Sequence, residues 1–368
     1  MQHVLQTGLS SGLSAVSGFH SSKPNSVPKD HDGAQNLTPA DFIPNKDSRR
    51  TYRGKNGNVE ASLLSIGAWP WGDKATWDWK PEELPQVKEA WQVLLKNGVN
   101  FIDTAQVYGS GESEKICGQL VAGMKRSDFV MQTKYWMLPA DPDNIAHPKD
   151  APLVTLKKSL ERMNLEYMDI YMVHGHIHAQ SIATIAKSLA DCVDQGLTKC
   201  VAVANYSEKD MLQMRDELAK YDIPLAANQC EYSILRREPE VSGLLQACKD
   251  NDIVFESYSS LAQGRLSGKY GPDNQPPARY RFSSYDMNDI EPTIDVVRQI
   301  AQKRNTSVAS VALNYNLVHG ITPVVGVRSS KQAEENCQAL GWRLTDEEIS
   351  AINDVSVKGK TTALWQQG

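Results

Sequence analysis

The sequence predicts an α/β protein in which a single barrel of eight parallel strands is surrounded by helices. From Thr51 onward, short apolar strands alternate with amphipathic helical segments, which is the pattern of βαβ units around a parallel sheet. Eight strand candidates can be counted, and eight such units close into a (β/α)8 barrel. The length of 368 residues accommodates this barrel as one domain.

The strand and helix candidates are assigned from the period of their apolar residues. Short, nearly continuous apolar runs predict strands at 63–68, 100–103, 129–134, 168–174, 200–204, 226–229, 253–258 and 322–327. Apolar residues that recur every three or four positions predict helices between them, at 85–97, 112–123, 153–163, 182–195, 208–220, 240–251 and 307–318. A further helical stretch is expected at 331–340, after the last strand.

Two segments show neither period. The segment 264–291, rich in Gly, Pro, Arg and Tyr, follows the seventh strand, and such a long loop in a compact domain usually has a function, so we predict that it covers the site. Residues 1–50 are predicted to form a disordered or targeting tail, and residues 51–368 the barrel. The tail has no arginine before Arg49 and no amphipathic helix, so an organellar targeting peptide is the less favoured alternative.

The composition indicates a globular protein whose partner is a small molecule. The formal charge of −5 includes no basic stripe, which disfavours nucleic acid or an anionic membrane surface as a partner. No apolar run approaches the roughly 18 residues that a membrane-spanning helix requires. The six cysteines form no CxxC pair, and several lie in apolar segments, so we expect reduced, structural thiols and a cytoplasmic location.

Titratable side chains stand where three successive predicted strands end. Asp103 ends the second strand, and Tyr108 follows five residues later. Lys134 ends the third strand and His174 the fourth. Because all strand ends of a parallel barrel gather on one face, these four groups are expected to surround a single reacting atom.

Several motifs resemble those of the aldo-keto reductases and occur in that family's order. They are FIDTA…YGSGxSE at 101–114, TK at 133–134, DIYMVH at 169–174, VANYS at 203–207, NQCEYS at 228–233, YSSLAQGRLSGKY at 258–270 and GVRSSKQAEEN at 326–336. The resemblance covers the chain from about Thr51 to Val355 and implies NADPH-dependent reduction of an aldehyde or ketone to the alcohol. Channel-associated members of the superfamily imply an alternative, a nicotinamide-binding regulatory subunit with little turnover.

The residue types explain how such a reduction can work. Delivery of hydride to a carbonyl carbon requires a proton for the oxygen, and Tyr108 is the candidate acid. A free phenol has a pKa near 10, so a nearby ammonium, supplied by Lys134, is needed to stabilise the phenolate. Asp103 would pair with Lys134, and His174 would hydrogen-bond the substrate oxygen. The resemblance implies the same four roles.

The resemblance also implies a site for NADP(H). It assigns Arg328 to the 2′-phosphate, Asn205 and Gln229 to the nicotinamide amide, and Tyr258 to a position stacked on the nicotinamide ring. The other residues that it places on the cofactor side are Leu261, Gly264, Arg265, Gly326, Gln332, Glu335 and Asn336. The chain departs from the family at Ala204, where many relatives have a serine, so one contact to the amide is expected to be missing.

Tryptophans are concentrated in two of the loops expected on the catalytic face. Trp69 and Trp71 follow the first strand, and Trp136 lies just beyond Lys134. We therefore expect an aromatic wall for a bulky apolar or aromatic carbonyl substrate, rather than a satellite of the core.

The histidines after the fourth strand offer a rival chemistry. His174 and His176 have the HxH spacing found in metal-dependent barrel hydrolases. That chemistry needs ligands at later strand ends, but the one later histidine, His319, falls on a helical stretch. We predict no metal site, and we place His176 in the substrate pocket.

Overall fold

A closed barrel of eight parallel strands forms the centre of the molecule, in a computed structural model that describes residues 23–31, 33 and 36–362. A two-stranded hairpin precedes it, formed by β1 (Arg49–Tyr52) and β2 (Val59–Ser62). The barrel strands are β3 (Ser65–Gly67), β4 (Phe101–Asp103), β5 (Val130–Tyr135), β6 (Met168–Val173), β7 (Thr198–Ala204), β8 (Leu225–Glu231), β9 (Val254–Tyr258) and β10 (Thr322–Gly326). They pair in chain order, and β10 closes the ring on β3, so the predicted (β/α)8 barrel is confirmed.

The longer helices surround the barrel and bury apolar residues against it. The helices are α1 (Lys74–Trp77), α2 (Leu84–Lys96), α3 (Glu112–Val121), α4 (Pro142–Ala146), α5 (Ala151–Met163), α6 (Ile182–Asp194), α7 (Glu208–Ala219), α8 (Glu238–Val241), α9 (Leu244–Asp250), α10 (Met287–Arg304), α11 (Val308–Val318), α12 (Ser330–Cys337) and α13 (Asp346–Val355). In α2, for example, Val87, Ala90, Trp91 and Leu94 are buried at helical spacing.

Two helix predictions need correction. The helix predicted at 240–251 is two helices, because Gly243 lies between them in the left-handed region with φ of 91°. The predicted loop 264–291 ends earlier than expected, since α10 already begins at Met287.

The hairpin β1–β2 contacts residues at the amino-terminal ends of the barrel strands. Tyr52 packs edge-on against Phe101, the first residue of β4, with the ring centroids 5.7 Å apart. Together with Val59 and Ala61 it joins an apolar cluster inside the barrel. Apolar side chains therefore fill much of the lower half of the barrel.

Part of the predicted tail is packed on the barrel. Residues 1–22, over which disorder or targeting was expected, lie outside the described residues. The stretch from Asn36 to Arg50 is packed on the barrel: Thr38 Oγ1 donates to the carbonyl of Val318 at 3.1 Å, and Leu37 packs against the core. A tail boundary at residue 50 is therefore wrong for this stretch, whose isolated apolar residues have no period that sequence analysis detects. In the described part of the chain, no helix is long and apolar enough to cross a bilayer.

Candidate active site

The four predicted titratable side chains meet at the carboxyl-terminal rim of the barrel. Asp103 ends β4, Lys134 is the second-last residue of β5, and His174 directly follows β6. Tyr108 begins a short 3-10 turn, Tyr108–Gly111, in the loop after β4. Parallel strand ends therefore bring these residues together from separate parts of the chain, as the sequence predicts.

Lys134 and Asp103 form a fully buried ion pair. Both carboxylate oxygens of Asp103 accept hydrogen bonds from Lys134 Nζ at 2.6 Å, and the carbonyl of Thr104 accepts a third at 3.0 Å. Burial alone would lower the pKa of Lys134, but the negative charge of Asp103 outweighs it and raises that pKa. The lysine is therefore held as an ammonium ion in a site without water contact.

The hydroxyl of Tyr108 lies beside this ammonium. Lys134 Nζ is 3.5 Å from Tyr108 Oη and 5.1 Å from the centroid of its ring. Burial raises the pKa of Tyr108 above that of a free phenol, and the charge of Lys134 opposes part of this rise. The phenol is thus protonated at neutral pH, with a cation in place to stabilise the phenolate once the proton leaves.

His174 completes the cluster. The His174 ring contacts Tyr108 edge-on at 5.6 Å between centroids and Trp136 at 5.3 Å. Burial, reinforced by the charge of Lys134, lowers the pKa of His174 well below the usual 6.5. The imidazole is therefore neutral at physiological pH, and one of its nitrogens carries a proton that it can donate.

A polar network that sequence analysis missed lies beneath the ion pair. Nε2 of Gln132 donates to Asp103 Oδ1 at 2.7 Å and to Glu256 Oε2 at 2.9 Å. Nε2 of Gln229 makes the same two contacts, at 3.3 and 2.7 Å. Burial, and then the charge of Asp103, raises the pKa of Glu256. The sequence could have predicted the position of Gln132, because residues two apart in a strand point to the same face and Gln132 lies two residues before Lys134.

The residues predicted at the nicotinamide lie on one side of this rim. Tyr258 donates its hydroxyl proton to Asn205 Oδ1 at 2.9 Å, and Asn205 Nδ2 donates to the carbonyl of His174 at 3.2 Å. Gln229, predicted beside them, directs its amide nitrogen into the network below Asp103 instead. Asn205 and Tyr258 are thus brought to the rim of the polar cluster, whereas the amide nitrogen of Gln229 already has two partners.

Arg328 lies in the loop after β10 and is engaged by an acidic residue. Its Nε and Nη2 donate to the carboxylate of Glu83 at 2.8 and 2.5 Å, and its Nη1 donates to the carbonyl of Trp77 at 2.9 Å. The backbone nitrogen of Arg328 donates to Gln332 Oε1 at 2.7 Å. Glu83 comes from the turn before α2 and was not among the predicted site residues.

The remaining predicted cofactor residues are placed as follows. Asn336 is buried in α12, and its Nδ2 atom has no hydrogen-bond partner among the described residues. Glu335 lies 3.8 Å from Lys331 on the same helix, and Gly326 ends β10. In the turn Ala262–Ser267, Gly264 has a left-handed φ of 93° and follows the half-buried Leu261.

Arg265 is engaged by carbonyl groups of its own loop. It is buried, and its guanidinium donates to the carbonyl groups of Tyr285 at 3.0 Å and Ala262 at 3.3 Å. Burial lowers its pKa to about 10. Arg265 therefore links the two ends of the loop, and its contact with the cofactor stays a prediction.

The segment 264–291, called the cover segment below, lies against the loop after β3. Arg279 Nε donates to the carbonyl of Thr76 at 2.6 Å, and the ring of Tyr280 packs on Trp77 at 4.8 Å between centroids. Phe282 contacts Trp69 at 6.0 Å. The two loops thus meet across the rim.

The predicted aromatic wall is only partly formed. Trp69 is half-buried and stacks on Tyr108 at 5.9 Å between ring centroids, and Trp136 packs against His174. Trp71 is buried, and its Nε1 donates to the carbonyl of Val327 at 2.7 Å. Trp71 therefore belongs to the core, and the expectation that it lines the pocket is wrong. His176 is half-buried in the loop after β6.

The rival metal arrangement finds no counterpart in the described residues, which contain no group of three or more His, Cys, Asp or Glu side chains that could hold a metal ion. The histidines concerned lie in a loop rather than on a strand, because β6 ends at Val173. His178 is occupied by the carbonyl of Gln180 at 2.5 Å and the hydroxyl of Tyr206 at 3.2 Å. All six cysteines are buried and free.

Comparison with known proteins decides the family. A family model described as the aldo/keto reductase family matches residues 63–357, which is most of the chain. The chain belongs to this family. The motifs noted in the sequence therefore reflect common descent.

Curated relatives and solved structures agree with this assignment. The chain is 28% identical over 313 residues to the chloroplastic pyridoxal reductase of Arabidopsis thaliana, covering 80% of this chain and 83% of the relative. It is 30% identical over 340 residues to the L-glyceraldehyde 3-phosphate reductase of Escherichia coli O157:H7, covering 86% of this chain and 94% of the relative. An aldo/keto reductase of Klebsiella pneumoniae, solved in complex with NADP and acetate, has the same fold with a TM-score of 0.68 at 20% identity, covering 87% of this chain and all of the other.

The residues of this aldo/keto reductase fit a dinucleotide along the rim. Among the described residues, the buried Nδ2 of Asn336 has no hydrogen-bond partner and is available to an acceptor atom of a ligand. Arg328, at the loop that precedes α12, supplies the fork of donors that matches a phosphate. Tyr258 lies at the other end, beside the polar cluster.

Proposed function

We propose that this protein reduces an aldehyde or ketone to the alcohol with NADPH, and that Tyr108 is the general acid. The observation that carries the proposal is the buried ammonium of Lys134, held between the carboxylate of Asp103 and the hydroxyl of Tyr108. A buried cation is costly unless it has a partner, and this one is aligned on a phenol that opens to the rim.

Each member of the cluster has a distinct task. When bound, the nicotinamide supplies the hydride that reaches the carbonyl carbon. Tyr108 gives its hydroxyl proton to the carbonyl oxygen as negative charge develops there, and Lys134 stabilises the resulting phenolate. Asp103 keeps Lys134 charged and oriented. The neutral His174 donates a hydrogen bond to the same substrate oxygen and so fixes its direction.

We further propose that the substrate has an apolar or aromatic group next to its carbonyl. Trp69 stacks on Tyr108 and Trp136 packs on His174, so indole rings border the proton donor on two sides. The two curated relatives are named as reductases of pyridoxal and of L-glyceraldehyde 3-phosphate, both of which are aldehydes. The aldehyde group is therefore the feature that the substrates of the two relatives share, and the preference for an aromatic substituent rests on the indole rings of the pocket alone.

On the cofactor side, Arg328 would bind the 2′-phosphate, with Gln332, Glu335, Asn336 and Gly326 around the adenosine. Asn205 would hold the nicotinamide amide, and Tyr258 would stack on the ring. Gln229 would join Asn205 only by leaving one of its present partners below Asp103. Leu261 and Gly264 would border the pyrophosphate.

The test is steady-state consumption of NADPH across a panel of aliphatic and aromatic aldehydes and ketones. We expect turnover with aldehydes, fastest for those with an aromatic group. Tight NADPH binding without turnover on any member of the panel would contradict the proposal and favour a regulatory subunit that senses the nicotinamide.

A further inference from the structure

The residue proposed to bind the 2′-phosphate already has an anionic partner. Glu83 accepts from Nε and Nη2 of Arg328, with both carboxylate oxygens within 2.5 Å of Nη2. The remaining terminal nitrogen, Nη1, donates to the carbonyl of Trp77. Every nitrogen of the guanidinium is therefore engaged within the protein.

Glu83 is fixed in this position rather than free to swing. It ends the 3-10 turn Pro81–Glu83, and its Oε1 atom also accepts from the backbone nitrogen of Lys80 at 3.1 Å. The helix α2 follows immediately at Leu84. A carboxylate held by a turn, a capping contact and an arginine is a preformed partner, so its removal from Arg328 has a definite cost.

A phosphate and a carboxylate cannot both occupy the same face of this guanidinium. A guanidinium offers a phosphate two nitrogen pairs. Glu83 holds Nε and Nη2, and the second pair consists of the same Nη2 and of Nη1, which donates to the carbonyl of Trp77. If the two anions were to share the arginine, like charges would lie a few ångströms apart and repel. NADPH must therefore displace Glu83, whereas NADH, which has a hydroxyl at this position, leaves the ion pair intact.

We propose that Glu83 is a determinant of cofactor preference, because it competes with the 2′-phosphate for Arg328 and weakens NADPH binding without affecting NADH. This inference rests on the proposed function, in which Arg328 binds the 2′-phosphate. The exchange also reaches the cover segment, since Arg328 donates to the carbonyl of Trp77 and the ring of Trp77 packs on Tyr280.

The test is the dissociation constant of each cofactor, measured by quenching of tryptophan fluorescence in the absence of substrate. Glu83→Gln removes the charge but keeps an acceptor for Lys80 N, so the turn is preserved. We expect NADPH to bind roughly three- to fivefold more tightly, as suits a partly exposed ion pair, and NADH to keep its native affinity. Glu83→Ala should shift NADPH in the same direction. The control is Glu82→Gln, which removes the same charge from the exposed neighbouring residue and should change neither constant.

Variants at Arg328 separate failure of this inference from failure of the proposed site. In the native background, Arg328→Ala should abolish most of the NADPH preference; if it does not, the proposed phosphate site is wrong. In the Arg328→Ala background, Glu83→Gln should no longer change NADPH affinity. If Glu83→Gln increases NADPH affinity equally in both backgrounds, Glu83 repels the charge of the cofactor without competing for Arg328, and the inference is wrong. An unchanged or weaker NADPH affinity for Glu83→Gln in the native background would also overturn the inference.

Discussion

Replacement of Lys134 by methionine should be costly for both stability and catalysis. The change leaves the buried carboxylate of Asp103 without its cation, and breaking a buried ion pair typically costs about 3–5 kcal/mol. Asp103 would keep the amide donors of Gln132 at 2.7 Å and Gln229 at 3.3 Å, so we expect the lower end, about 3 kcal/mol. Carbonyl reduction should fall by about 10²- to 10⁴-fold, because the phenolate of Tyr108 loses its stabilising charge.

The assay is urea denaturation of the native protein and three variants, combined with rates of NADPH oxidation. Lys158→Met is the matched control, since Lys158 pairs with Asp143 on the surface and its loss should cost under about 1 kcal/mol. Adding Asp103→Asn to Lys134→Met removes the unpaired charge and should recover about 2 kcal/mol. If Lys134→Met destabilises no more than the control, the pair does not have the energetic role that its burial implies.

The remaining predictions concern pH and the cover segment. Because the pKa of His174 is lowered well below 6.5 and that of Tyr108 is raised, kcat/KM for reduction should be level between about pH 6 and 8; an inflection near 6.5 would contradict this. Burial, and then the charge of Asp103, raises the pKa of Glu256. The folded state therefore keeps a proton on Glu256 that unfolded glutamate loses above about pH 4.3, and the contribution of Glu256 to stability falls as pH rises from there. The glutamine of the Glu256→Gln variant does not titrate, so the free energy of unfolding of this variant relative to the native protein should increase from pH 4 to pH 7. If the two free energies change in parallel with pH, the assignment is refuted. The segment 264–291 should be cleaved more slowly by protease with saturating NADPH, and equal rates with and without cofactor would refute its role as a cover.

The barrel was predictable because its strands and helices carry their periods locally. All eight strands lie within a few residues of their predicted positions, since each is an apolar run between polar boundaries. The helix α10 was not among the predicted helices, and Pro292, ordinarily a helix breaker, lies within it. The hairpin β1–β2 was missed because Arg49–Tyr52 is a polar run, and its packing against the apolar cluster inside the barrel depends on tertiary structure.

The site was predictable only where strand order alone decides it. Asp103, Lys134 and His174 were placed correctly because parallel strand ends share a rim. Glu83 could not be found in this way, because its pairing with Arg328 joins positions 245 residues apart through two loops. Trp71 was assigned to the pocket because it lies in the loop after the first barrel strand. Its position in the sequence does not show which way its side chain points, and in the structure the indole is buried in the core.

The rate of a single turnover with Tyr108→Phe tests the central claim most directly. The change removes the hydroxyl proton but keeps the ring that stacks on Trp69, so NADPH affinity should stay nearly native. With excess enzyme, NADPH and any accepted aldehyde, we expect the rate to fall by about 10²- to 10⁴-fold. A rate within about threefold of native would remove Tyr108 from the mechanism, and loss of activity on substitution of His176 or His178 instead would assign the proton to a histidine.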